Sequence, residues 1–123
     1  MTTPAIRSQV PLLHVGDVAR TIRFYDRLGF VVANSVTAND GTLQWVWLVA
    51  GSTSLMFART EEPVVPGAQR ALLYLYADDV AAMHAHLRAH GVDVGPIQTP
   101  FYSPRGEFRF ADPDGWGLIV AHT

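Results

Sequence analysis

Apolar positions recur along this chain in two matched blocks. The first opens with Val10-Pro11-Leu12-Leu13-His14-Val15, a mostly apolar run of strand length. Asp17 follows, and its carboxylate suits a helix N-cap because it can accept from the free amides of the first turn. From there Val18, Ile22, Tyr25 and Leu28 stand at helical spacing, which predicts a helix over 18–28. Gly29 supplies the left-handed residue that commonly ends one. Phe30-Val31-Val32 predicts a strand, Asn39-Asp40-Gly41 a turn, Leu43 to Ala50 a β-rich run, and Gly51-Ser52 a turn into a strand over 54–58.

The second block repeats this order. A strand over 71–77 leads to a helix over 79–90, with Val80, Met83 and Leu87 on one face and Gly91 at its end. Val92 to Ile97 reads as a short extended piece and Gln98 to Arg105 as a Pro-rich loop. Strands over 107–111 and 116–121 flank Asp112-Pro113-Asp114-Gly115. The repeat is measurable: Asp79 minus Asp17 and Gly91 minus Gly29 both give 62 residues. That interval exceeds solenoid periods and marks one duplication. The reading is an α+β single domain, 1–123, of two paired β-α-β-β-β modules forming curved mixed sheets with helices on the outer face. Module one covers about 8–59, the linker 60–70, and module two about 71–122.

Turn chemistry fixes a register in the second module. A three-residue Pro-Asp-Gly loop, with Gly115 in the left-handed bulge position, pairs Asp112 with Trp116. Phe110 then faces Leu118, and Phe108 faces Val120, on a side that packs against a helix. Arg109 faces Ile119 and Glu107 faces Ala121 on the other side. The strand Leu72-Leu73-Tyr74-Leu75-Tyr76 is apolar or aromatic on both faces, so both must be covered. Helices cover one. The other lines a cavity or meets a partner chain.

Composition narrows the function. Apolar residues make up 49% of the chain and charged residues 16%, with a net charge of −2, so the chain folds and carries no basic stripe for nucleic acid. There is no cysteine, which removes thiolate metal sites and a thiol nucleophile. The apolar runs are too short to span a bilayer, and the N-terminal residues lack the apolar core of a signal peptide. A cytoplasmic location is expected. No Gly-x-Ser-x-Gly elbow or phosphate-cradling loop is present.

Val15-Gly16-Asp17-Val18 with Phe24-Tyr25-Asp26-Arg27-Leu28-Gly29-Phe30, and Asp78-Asp79-Val80, His90-Gly91-Val92 and Asp112-Pro113-Asp114-Gly115, resemble the vicinal-oxygen-chelate superfamily. This superfamily includes glyoxalase I, extradiol dioxygenases and bleomycin-resistance proteins. Gly106-Glu107-Phe108 and Ser54-Leu55-Met56-Phe57 are similar to the drug-binding branch. The resemblance implies modules of the kind derived above and, for small members, a homodimer with two pockets built from both chains. It also implies where a metal would sit. The four corresponding positions are Val10, Met56, Leu72 and Ile119, and none can donate to a cation as His or carboxylate would. No metal, other cofactor or catalytic residue is therefore expected. His84, His86 and His90 read as a solvated helix flank, although His86 and His90 have the i, i+4 spacing of a metal pair. His14 shares its face with Val10 and Leu12, either as a contact to a ligand or as a satisfied strand-end residue.

Aromatic residues supply the positive expectation. Tyr74 and Tyr76 fall on the cavity side of their strand. Trp45 and Trp47 share one face of theirs, with the loop at Gly51-Ser52 deciding which. Phe101 and Tyr102 occupy the Pro-rich loop. With Leu12, His14, Met56, Glu107 and Arg109 they form the expected ligand-binding set. Such sites are largely apolar with a few placed polar groups. The expected function is sequestration of an aromatic natural product or drug, more neutral than a cationic glycopeptide given the small net charge. The alternatives are a lyase, isomerase or dioxygenase of the same superfamily, and a dimeric interaction module with no ligand.

Overall fold

The computed structural model describes residues 2–123. The chain divides into two compact units, with the boundary between Glu62 and Pro63. In the first, β1 (Leu12–Val15), α1 (Val18–Asp26), β2 (Val31–Thr37), β3 (Leu43–Ala50) and β4 (Thr53–Arg59) follow in order. The sheet order is β1-β4-β3-β2, with β1 parallel to β4 and the remaining pairs antiparallel. In the second, β5 (Leu72–Tyr76), α2 (Val80–Ala89), β6 (Glu107–Ala111) and β7 (Gly117–Ala121) give a sheet ordered β5-β7-β6. The α+β architecture expected from the repeat is present.

Local chemistry starts both helices in the same way. The Asp17 carboxylate accepts from the Arg20 amide at 3.1 Å, and that of Asp79 from the Ala82 amide at 2.9 Å. Each satisfies an amide that has no partner within the helix. Each helix is followed by a glycine at positive φ, Gly29 at 88° and Gly91 at 80°.

One face of each sheet packs on its helix. In the first unit Val46, Leu48, Leu55 and Phe57 are buried. Tyr25 of α1 lies against Phe57 with ring centroids 4.8 Å apart, and against Phe24 and Phe30 edge-on. In the second, Phe108, Phe110, Leu118 and Val120 are buried with Leu87 of α2. The β6–β7 register pairs Phe110 with Leu118, Phe108 with Val120, Arg109 with Ile119 and Glu107 with Ala121, as the turn chemistry predicts. The Asp112 carboxylate accepts from the amides of Asp114 and Trp116, and Gly115 has φ 86°.

Three details differ from expectation. β2 runs on to Thr37, beyond Val32, because pairing with β3 carries it through Ala33-Asn34-Ser35, where no apolar alternation marks a strand. The extended piece 92–97 is not a regular strand. It hangs on β6 by bonds from the Gly95 amide to the Arg109 carbonyl and, in both directions, between Gln98 and Glu107. Three steps of this segment (98 − 95) span two of β6 (109 − 107), which is the count of a bulge, and Pro96 has no N–H to give. The linker is also partly built. Pro66–Ala68 forms a 3-10 turn, and the Gln69 side-chain amide donates to the Asp114 carbonyl at 3.3 Å.

Candidate functional site

The face of each sheet turned away from its helix carries the expected ligand contacts. Residues directly opposite in a ladder share a face. In the first sheet Leu12, Met56 and Trp47 form one row, and His14, Ala58 and Trp45 the next. Both tryptophans therefore lie opposite the core, because Val46 and Leu48 take the inward positions between and beside them. Asn34 and Val36 of β2 extend these rows. Leu12 and Trp47 are exposed, and Trp45 and Met56 are partly covered. This surface is apolar and aromatic, with His14 as a polar group at one end.

In the second unit Tyr74, Ile119 and Arg109 form one row, and Tyr76, Ala121 and Glu107 the next. The Tyr74 and Tyr76 rings stack at 6.2 Å with 29° between planes. They are 43% and 63% exposed, whereas Glu107 is only 8% exposed. An open cavity of about 540 Å³ lies here, lined among others by Tyr74, Tyr76, Tyr102, Arg105, Glu107 and His122. Arg105 contacts the His122 ring at 3.1 Å. Burial raises the Tyr74 phenol above its usual pKa, and the nearby Glu107 carboxylate adds to the shift. The phenol thus stays protonated at neutral pH and keeps a hydrogen to donate.

Of the expected set, then, Leu12, His14, Trp45, Trp47 and Met56 gather on one open face, and Tyr74, Tyr76, Tyr102 and Glu107 around one cavity. Arg109 shares the second face, but its guanidinium lies beside Gly117, 3.6 Å from where a Cβ on that glycine would be. Gly117 is across from Ala111, at the far end of β6 from Glu107. Phe101 stands apart. It is 95% exposed and touches Tyr102 edge-on. No pattern in the sequence marks Arg105 and His122, since neither lies in a periodic element. Ala121 was legible as the partner of Glu107.

A metal does not fit the positions at which the family pattern would hold one. Met56 and Ile119 do lie on the open faces, and Leu72 begins β5, but all are apolar. Among the described residues no group of three or more His, Asp or Glu side chains gathers to hold an ion. On α2, the His90 ring is tied by Nδ1 to the His86 carbonyl at 2.8 Å, and His84 Nε2 meets the Gly95 carbonyl at 2.9 Å. His84 also packs edge-on against Phe108. The His84 ring thus ties α2 to Gly95 and to β6, while the His90 ring bonds within its own helix. A second hollow, about 380 Å³, lies at the start of α1 beside Asp17, Thr42 and Arg59. Its carboxylate already caps the helix, and Arg59 pairs with Glu61 at 3.2 Å.

These features define the class. The model of the glyoxalase/bleomycin resistance protein/dioxygenase superfamily matches residues 8–120, and the chain belongs to that superfamily. Among solved structures, it is similar to a bleomycin resistance determinant encoded on the transposon Tn5, with 21% identity and a TM-score of 0.78 over 96% of this chain and 98% of that one. A bleomycin-binding protein complexed with bleomycin gives 21% and 0.77, over 96% and 99%. TnmS3, an antibiotic-binding protein from a Streptomyces species, gives 26% and 0.72, over 97% and 98%. Comparison with curated proteins finds no match. No helix among the described residues is long and apolar enough to cross a membrane.

Proposed function

We propose that this protein binds and sequesters an aromatic small molecule, a natural product or drug, without a metal and without turning it over. The carrying observation is the pair of half-exposed, stacked tyrosines at the mouth of a cavity with a buried carboxylate. Exposed aromatic faces beside one placed polar group are what a ligand site needs and a sheet surface does not. The tryptophan face of the first unit adds a second aromatic surface. Similarity to proteins described as binding bleomycin or another antibiotic supports the same reading. A cytoplasmic location and a single domain over 1–123 are part of it.

The test is titration of planar aromatic antibiotics, followed by tryptophan fluorescence, with product analysis alongside. Tyr74→Ala or Tyr76→Ala removes stacking and contact area worth about 2 kcal/mol, roughly a thirtyfold weaker Kd. If a tight wild-type complex is weakened less than twofold by both folded variants, the cavity assignment is wrong. A compound recovered chemically altered over many turnovers replaces sequestration with catalysis.

Within this reading the protein is a homodimer. Leu12, Val36, Trp47, Leu72, Tyr74 and Tyr76 all stand exposed on the open faces of the two sheets. Monomers rarely leave so much apolar surface to water. Light scattering at micromolar concentration should give twice the 13.5 kDa chain mass. A mass of one chain contradicts the proposal.

A further inference from the structure

Among the described residues that line the second-unit cavity, Glu107 carries the buried polar atom left without a partner. The residue is only 8% exposed, it lines the cavity, and its Oε1 is buried without a hydrogen-bond partner. The nearest cation along its own strand, Arg109, turns toward Gly117 at the other end of β6. Arg105, which lines the same cavity, is engaged with His122. A buried acceptor without a donor costs stability, more so when it is charged. Such a cost persists where a ligand removes it.

We infer that Glu107 is the specificity-determining residue of the cavity, accepting from an N–H or O–H donor on an aromatic ligand whose ring lies against Tyr74 and Tyr76. This rests on the ligand-binding reading and names the ligand class it requires. An amine is the better donor. Its N⁺–H makes a charge-assisted bond to the carboxylate, and the tyrosine faces around it attract a cation. The small net charge of the whole chain does not oppose this, because recognition here is one local pair at a buried carboxylate.

Three probes of equal ring and different head group isolate the effect: naphthylmethylamine, naphthylmethanol and methylnaphthalene, each titrated by calorimetry. Wild type should bind the amine about tenfold or more tighter than methylnaphthalene, with the alcohol between them. Glu107→Gln, which keeps the shape and an acceptor oxygen, should bring the amine down to the level of the alcohol. Glu107→Leu should remove the advantage of both donors while methylnaphthalene binds as before. Melting curves establish that each variant is folded. If Gln destabilises the chain, the wild-type ranking of the three probes still decides. Equal binding of all three to wild type overturns the inference and leaves the ligand site standing. Ranking unchanged in a folded Gln or Leu variant overturns it as well. No binding of any probe up to its solubility overturns both this inference and the reading beneath it.

Discussion

Replacing Phe57 with alanine should lower the free energy of unfolding by about 3–5 kcal/mol. Phe57 has no exposed surface and sits on β4, one of the two interior strands of its sheet. It is paired with Val46 across one ladder and Leu13 across the other, and the Tyr25 ring of α1 rests on it at 4.8 Å. Truncation removes the transfer energy of an aromatic ring and leaves a void. Sheet and helix cannot both move in to fill it, since Tyr25 is itself held edge-on by Phe24 and Phe30. Urea unfolding reads the change, with Trp45 and Trp47 on the neighbouring strand as reporters. A loss below about 1 kcal/mol, the ordinary cost of a point substitution, would mean that the aromatic cluster is not the centre of this core.

Gly115→Ala comes next in size, and a paired substitution explains why. Gly115 and Gly29 have nearly the same backbone, φ 86° and 88°. Forcing an L-residue into that region costs about 1–2 kcal/mol at either place. At Gly29 an added Cβ meets nothing within 4 Å, whereas at Gly115 it falls 2.5 Å from the backbone Cα and O of Pro66. The Pro66–Ala68 turn would have to lift away from the β6–β7 loop. The expected cost is therefore about 3 kcal/mol or more at Gly115, against strain alone at Gly29. Thermal melts of the two variants should differ by several degrees. Equal melting temperatures would show that the linker yields freely and is not docked.

Both predictions depend on features with unequal visibility in the sequence. The duplicated helices were legible because Asp17 and Asp79, Gly29 and Gly91 encode their ends locally. The β6–β7 register was legible to the residue because a Pro-Asp-Gly loop admits few alternatives. With it came the inward side of Phe108 and Phe110 and the outward side of Glu107. The side taken by Trp45 and Trp47 was not legible, since it depends on how many residues the Gly51-Ser52 turn contributes. Pairing of Trp47 with Met56 resolves it. The docking of Pro66 on Gly115 was hidden because it joins positions far apart in sequence, and composition shows only a Pro- and Gly-containing link. The burial of Glu107 was equally hidden. Parity places a side chain on a face, but it does not say how deeply its neighbours Tyr74, Tyr76 and Tyr102 cover it.

The irregular segment along β6 bears on how the protein behaves in a crowded solution. An outer strand with bare amides and carbonyls invites another chain to add to the sheet, the first step toward aggregates. Here the Gly95 and Gln98 bonds take up the Arg109 carbonyl and both backbone groups of Glu107, and the extra residue and Pro96 stop the covering segment from becoming a full strand. His84 holds the Gly95 carbonyl from the α2 side. This edge of the sheet is thus covered along Glu107–Arg109 by a piece of backbone that is itself a poor template for a further strand. On a chain whose open sheet faces carry exposed aromatic residues, a covered edge removes one of the routes by which its copies could pile up.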